Sequence, residues 1–251
     1  MNEIETIKMN LWHFFSAGSI FFTAGLLQGL TGFGSALLAM PLLTLFLDFR
    51  SAVPLCLLNG MIITGYLSIQ LRRHLTIKKI GPLLAGALPG ILFGTFMLTH
   101  VHGPILQACL GVLLVCYCVW ALFRPPVRIG LGPAWAGIAG FASGAIGAAM
   151  SASGPPVIIY VSLSDWPKDE TKATLTGFFI STGMLTLISQ GLSGLITPEV
   201  LYLFIFCAPW VLAGTFIGIK LYSRLDTTRY LRLVILTLLG LGISLTIRAI
   251  R

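Results

Sequence analysis

The sequence predicts an all-α polytopic membrane protein, an inverted 5+5 repeat with 8–10 membrane segments and broken or re-entrant helices starting each half. Three observations predict it. Of 251 residues, 56% are hydrophobic and only 10% are charged, whereas an average soluble domain carries about 25% charged residues. The mean hydropathy is +0.94, and the apolar runs approach the roughly 20 residues that a spanning helix needs. Finally, the second half repeats features of the first. No polar stretch is long enough for another domain, so residues 1–251 read as a single transmembrane domain.

Ten apolar segments follow in order. The first is Leu11–Leu30, ended by the break Gly29-Leu30-Thr31-Gly32-Phe33-Gly34-Ser35. A short second runs Ala36–Leu47. The third to fifth are Ala52–Leu71, Ile80–Leu98 and Pro104–Phe123. The sixth, Pro133–Met150, ends in Ser151-Ala152-Ser153-Gly154-Pro155-Pro156. The seventh is only Val157–Leu163, too short for a core of about 30 Å unless the preceding break extends it. The last three are Ala173–Leu192, Val200–Leu221 and Tyr230–Ile250.

Loop charges orient these segments. Arg72, Arg73, Lys78 and Lys79 lie between segments three and four, and Arg124 and Arg128 between five and six. Lys168 and Lys172 lie between seven and eight; Lys220, Arg224, Arg229 and Arg232 bracket the link from nine to ten. The four–five loop (His100, His102) and the eight–nine loop (Glu199) hold no Lys or Arg. The positive-inside rule makes the first group cytoplasmic. Segments one and two then enter and return on the outer side, and six and seven on the inner side. Each pair is two spans or one broken hairpin. The net charge of +8 is accounted for by this topology, so no nucleic-acid partner is expected. The acidic start, Met1-Asn2-Glu3-Ile4-Glu5, argues against a cleavable signal peptide.

Two blocks carry the repeat, about residues 11–123 and 133–250. Ala24-Gly25-Leu26-Leu27-Gln28-Gly29-Leu30-Thr31-Gly32 lies over Ala139-Gly140-Phe141-Ala142-Ser143-Gly144-Ala145-Ile146-Gly147, and the same offset sets Pro41 over Pro156. Pro89, four residues and Gly94-Thr95-Phe96 then match Pro209, four residues and Gly214-Thr215-Phe216. Five segments per half is an odd number, so the halves enter from opposite sides. Inverted repeats with interrupted helices point to a transporter whose substrate sits at the repeat interface.

The breaks are the candidate site. A broken helix leaves N–H groups without partners, which are tolerated at membrane depth only beside protein or a wet cavity. A half-helix N-terminus suits an anion. Thr31, Ser35, Ser151 and Ser153 add hydroxyl donors, and Gln28 and Asn59 are amides inside apolar segments. Thr176 corresponds to Asn59 when Gly60 is set over Gly177. Tight packing of Gly and Pro, or helix cross-linking by the amides, is the competing reading. Arg50, Arg72 and Arg73 serve topology or draw anions to a cavity mouth.

Absences narrow the cargo. The eight acids, Glu3, Glu5, Asp48, Asp165, Asp169, Glu170, Glu199 and Asp226, fall in tails, loops or span edges. Proton and cation carriers usually need intramembrane ionisable groups. Histidines lie at edges and loops, and the five cysteines (Cys56, Cys109, Cys116, Cys118, Cys207) lack metal-ligand spacing. No cofactor, metal or enzyme dyad is expected. The partners expected are a small anionic substrate and the lipid bilayer; a homo-oligomer is compatible with the sequence. An interior-negative potential favours anion export by about 2.3 kcal/mol per charge per 100 mV.

The run Gly25-Leu26-Leu27-Gln28-Gly29-Leu30-Thr31-Gly32-Phe33-Gly34-Ser35 with Pro41, and Gly144-Ala145-Ile146-Gly147 with Ser153-Gly154-Pro155-Pro156, resemble the TauE/SafE sulfite exporter family, also called the 4-toluene sulfonate uptake permease family. The resemblance covers nearly the whole chain. It implies transport of sulfite, sulfoacetate or other organosulfonates across a bacterial inner membrane. It assigns the family motif to Gln28, Gly29, Thr31, Gly32, Gly34, Ser35, Pro41, Gly147, Ser153, Gly154, Pro155 and Pro156. One departure stands out: Ala148-Ala149-Met150 occupies the place of Phe33-Gly34-Ser35, so the two breaks differ chemically. A carrier of another small organic anion, such as a carboxylate, and a non-transporting membrane assembly component are the alternatives.

Overall fold

The computed structural model describes residues 11–31, 34–71, 77–123, 130–164, 166, 168–222 and 227–250. Among the described residues there are ten helices and no strand. They are α1 (Leu11–Thr31), α2 (Ser35–Leu43), α3 (Phe49–Leu71), α4 (Ile77–His100), α5 (Gly103–Phe123), α6 (Pro133–Met150), α7 (Gly154–Leu163), α8 (Lys168–Leu192), α9 (Pro198–Tyr222) and α10 (Thr227–Ile250).

Each helix answers to one apolar segment, and the ends differ for local reasons. Helix α8 begins five residues before its apolar run, at Lys168-Asp169-Glu170; acids suit a helix N-terminus but interrupt an apolar count. Helix α3 begins at Phe49 because Asp48 precedes it: the Asp48 carboxylate accepts the Arg50 N–H at 2.9 Å. Helix α2 stops at Leu43, and Thr44 donates its hydroxyl to the Pro41 carbonyl at 3.1 Å. Helix α7 takes in Gly154-Pro155-Pro156, since prolines in a first turn lack only N–H groups that have no helical acceptor.

Length decides the role of the two short helices. At about 1.5 Å per residue, α2 and α7 measure about 14 and 15 Å, half the bilayer core. Each folds back on the helix before it, α2 on α1 and α7 on α6. Among the described residues, four helices, Lys79–His100, Gly103–Phe123, Ala173–Leu192 and Pro198–Leu221, are long and apolar enough to cross a membrane.

The most extensive pairings are α1 with α9, α4 with α6, and α5 with α10; α3 packs on α8 and α9, and α4 on α8. Glycines make the first two unusually close. A Cβ on Gly25 or Gly29 would stand 2.4 or 2.5 Å from the Val211 or Thr215 carbonyl oxygen, and one on Gly214 2.0 Å from that of Phe22. In the second crossing, Gly86, Gly90 and Gly94 face the carbonyls of Gly137, Phe141 and Ala145, while Gly140 and Gly144 face those of Leu83 and Ala87. Lipid gives no hydrophobic drive for helix association, so such close backbone contact supplies the attraction.

Two apolar clusters result. One is mainly α1, α2, α3, α5, α9 and α10, around Phe21, Met40, Leu55 and Leu106. The other is α4, α6, α7 and α8, around Leu83, Val157 and Phe178. Large apolar side chains also face outward, among them Leu92, Phe96, Ile138, Ile205 and Phe216. That surface suits hydrocarbon rather than water.

Candidate functional site

The two breaks meet in one cavity of about 90 Å³ between the clusters. Gln28 of α1 lines it, with Gly34, Ser35, Ala36 and Leu37 at the first break and the start of α2. From α6 and the second break come Ser143, Gly144, Gly147, Ser151, Ala152, Ser153 and Gly154. Helix α3 contributes Cys56, Leu57, Gly60, Met61 and Thr64; α8 contributes Phe179, Thr182, Gly183 and Thr186. Among the described residues, no charged side chain lies on this wall.

Among the described residues, each break holds one left-handed residue. Gly34, preceding α2, has φ 97°, and glycine adopts this freely. Ser151, ending α6, has φ 55°, which costs a non-glycine residue roughly 1–2 kcal/mol. Two bonds hold it. Its N–H donates to the Gly147 carbonyl at 2.8 Å, and its hydroxyl to the Val53 carbonyl of α3 at 2.7 Å.

Side-chain hydrogen bonds close both hairpins. Ser35 donates its hydroxyl to Gln28 Oε1, and Gln28 Nε2 lies 3.5 Å from Thr64 Oγ1. Opposite, Ser143 donates its hydroxyl to the Ser153 carbonyl. Gln190 of α8 donates from Nε2 to the Ala148 carbonyl at 2.9 Å, satisfying the last turn of α6.

The two helix starts differ as donors. The N–H groups of Ser35, Ala36 and Leu37 open α2 and have no acceptor within the helix. At α7, Pro155 and Pro156 carry no N–H, leaving Gly154 as the donor among the first three positions. The cavity therefore has a donor-rich α2 side and a donor-poor α7 side. Both helix ends bring positive dipole to the same space.

Of the sequence-selected residues, Gln28, Gly34, Ser35, Gly147, Ser151, Ser153 and Gly154 line the cavity. Gly29 packs instead against Thr215 of α9. Asn59 is buried, donates Nδ2 to the Leu55 carbonyl at 3.0 Å, and lies off the wall while its neighbour Gly60 lies on it. Thr176 is buried away from the wall. Pro155 and Pro156 face an apolar groove against α5, with Cys109, Cys116 and Trp120. The Thr31 side chain, Gly32, Arg72 and Arg73 lie outside the described residues. Arg50 donates to the Thr99 carbonyl of α4 at 2.9 Å, tying helix ends together.

Thr64, Ser143, Thr182 and Thr186 escaped the sequence reading. A signal existed for three of them. Ser143 is the repeat partner of Gln28, and Thr182 and Thr186 fall one turn apart on one helix face. Nothing marked Thr64 except its place one turn after Gly60.

A family model described as sulfite exporter TauE/SafE matches residues 17–245, from the middle of α1 into the last turns of α10. The chain belongs to that family. TauE/SafE proteins are membrane exporters of sulfite-type anions rather than enzymes, and the apolar helices make this member a multi-pass membrane protein. The match takes in both breaks and every cavity-lining element. No curated protein and no solved structure matched the chain.

Proposed function

We propose that this TauE/SafE protein exports a small sulfur oxyanion, sulfite in the first instance, across a bacterial inner membrane. The observation that carries the proposal is the cavity where both helix breaks converge, neutral, lined with hydroxyls and an amide, and bordered by the N-terminus of α2. About 90 Å³ is small beside the roughly 300–1,000 Å³ of sites for drug-sized ligands. Sulfite is therefore favoured over sulfoacetate or an aryl sulfonate. Gln28, Gly34, Ser35, Ser143, Ser151, Ser153 and Gly154 are the substrate-contacting set, joined by Thr64 and Thr182.

The transport mode is alternating access at the interface of two inverted repeats. The helix pairings support it. Advancing each helix by five places turns α1 with α9 into α6 with α4, and α3 with α9 into α8 with α4; α3 with α8 and α5 with α10 return to themselves. Lys79 and Glu170 pair at 2.8 Å, so the starts of α4 and α8 share one face of the membrane, as the loop charges require. That face is the cytoplasmic one in this reading.

Proteoliposomes loaded in turn with sulfite, sulfoacetate, methanesulfonate and lactate test the proposal. Sulfite efflux is expected to exceed lactate efflux and to quicken under an interior-negative potential. Ser35→Ala is expected to slow it. Preferential lactate transport would select the carboxylate reading. Efflux that ignores potential but follows a pH gradient would overturn export driven by the membrane potential alone.

A further inference from the structure

We propose that the cavity selects the singly charged, protonated form of its cargo, hydrogensulfite rather than the sulfite dianion. This rests on the reading of the cavity as the substrate site. Three observations carry it.

The first is charge balance. Among the described residues, no Lys, Arg or His reaches the wall. The N-termini of α2 and α7 bring partial positive charge to the cavity, and the C-terminal ends of α1 and α6 at the same breaks bring partial negative charge, so the dipoles fix no net unit of positive charge at the wall. The second is desolvation. Transfer of an ion from water into a low-dielectric interior has a Born cost that grows with the square of its charge. A dianion meets about fourfold the cost of a monoanion of the same radius, and the wall holds no cation to offset the difference.

The third is hydrogen-bond chemistry. Arg and Lys only donate, and suit an anion that only accepts. Here the wall is made of groups that do both: the Gln28 amide and the hydroxyls of Ser35, Thr64, Ser143 and Thr182. Gln28 Oε1 already accepts from Ser35, and Thr64 donates to the Gly60 carbonyl at 2.8 Å. The hydroxyls of Ser35, Thr64, Ser143 and Thr182 each donate their one proton within the protein, to Gln28 Oε1 and to the carbonyls of Gly60, Ser153 and Phe178, and so offer a ligand accepting oxygens. Such a wall suits an anion that brings a proton of its own, and the Gln28 amide N–H group remains as a donor to its oxygens. Among the described residues, the one titratable side chain on the wall is the Cys56 thiol of α3. Among the described residues of α1, α2, α6, α7 and α8, only neutral, non-titrating groups face the space. The proton thus travels on the cargo.

The test compares sulfite with methanesulfonate, which stays a monoanion throughout, in proteoliposomes of the full chain. Internal and external pH are equal, the potential is clamped, and pH is stepped from about 6 to about 9 at fixed total anion. Above the second ionisation of sulfurous acid, the sulfite rate is expected to fall about tenfold per pH unit while methanesulfonate changes less than about twofold. Cys56→Ser, whatever its absolute rate, is expected to keep that slope. A sulfite rate that stays level or rises, with methanesulfonate level, would show the dianion carried and overturn the inference while leaving anion export intact. Parallel decline of both anions, or loss of the slope in Cys56→Ser, would place the titration on the protein and overturn it equally. If neither anion moves at any pH, the export reading falls and takes this inference with it.

Discussion

Replacing Gly140 with Ala should separate helices α6 and α4, and replacing Gly137 should not. The two glycines lie one turn apart on the same helix. A Cβ at Gly140 would stand 2.0 Å from the Leu83 carbonyl oxygen and 2.8 Å from its carbon, whereas at Gly137 it meets nothing within 4 Å. Real Cβ contacts are not that short, so the backbones must part by about 1 Å. Because the obstacle is main chain, no side chain can swing aside. Overpacking of this kind costs roughly 1–3 kcal/mol. Both variants gain the helix propensity of Ala over Gly, up to about 1 kcal/mol, so the difference between them isolates the clash at about 1–3 kcal/mol. Reversible SDS unfolding of the purified protein, followed by helicity, measures it. Gly137→Ala should unfold at or above the wild-type midpoint, and Gly140→Ala clearly below. Equal midpoints would show that α4 and α6 do not approach as closely as described and would undo the packing argument.

Three further outcomes follow from the site. At Ser151, Ala keeps the left-handed strain and loses the bond to the Val53 carbonyl, while Gly loses the same bond but relieves the strain; Ser151→Ala should therefore be less stable than Ser151→Gly by about 1 kcal/mol in the same unfolding assay. Gln28→Leu removes the hub joining Ser35 and Thr64 and should slow sulfite export by about tenfold, the scale of one lost hydrogen bond, whereas Thr176→Val, off the wall, should export within about threefold of wild type. With the native cysteines replaced, Ser35→Cys and Ser153→Cys should react with a charged, water-borne thiol reagent. Pro156→Cys, in the apolar groove beside α5, should react only with a lipophilic one, and reversed reactivities would exchange the inside and outside of α7.

The helices were legible because apolar length is a direct readout of the membrane core. Helix ends were less so. The charged start of α8 and the Asp48 cap of α3 are helix-favouring yet polar, so an apolar count passes over them. Both breaks were legible from Gly, Ser and Pro at half-membrane spacing. The walls between them were not. Thr182 satisfies its hydroxyl on the Phe178 carbonyl at 2.8 Å, as threonines do in any buried helix. Nothing in its sequence context tells which way that face points. Gly29 illustrates the converse. A glycine that admits a ligand and one that admits another helix have the same sequence signature, and only the approach of Thr215 decides for the helix.

That ambiguity explains why the halves resemble each other where they do. The first matched block holds Gly25 and Gly29 in α1 and Gly140 and Gly144 in α6; the second holds Gly94 in α4 and Gly214 in α9. Each first block packs on the second block of the opposite half, α1 on α9 and α6 on α4. The likeness thus falls on crossings where a single Cβ is excluded. At the breaks the halves diverge: Gly34 against Ser151 as the left-handed residue, and the N–H-bearing Ser35, Ala36 and Leu37 opening α2 against the prolines opening α7. The cavity between these crossings is asymmetric. An anion placed there would meet more backbone N–H donors at the start of α2 than at the proline-opened start of α7.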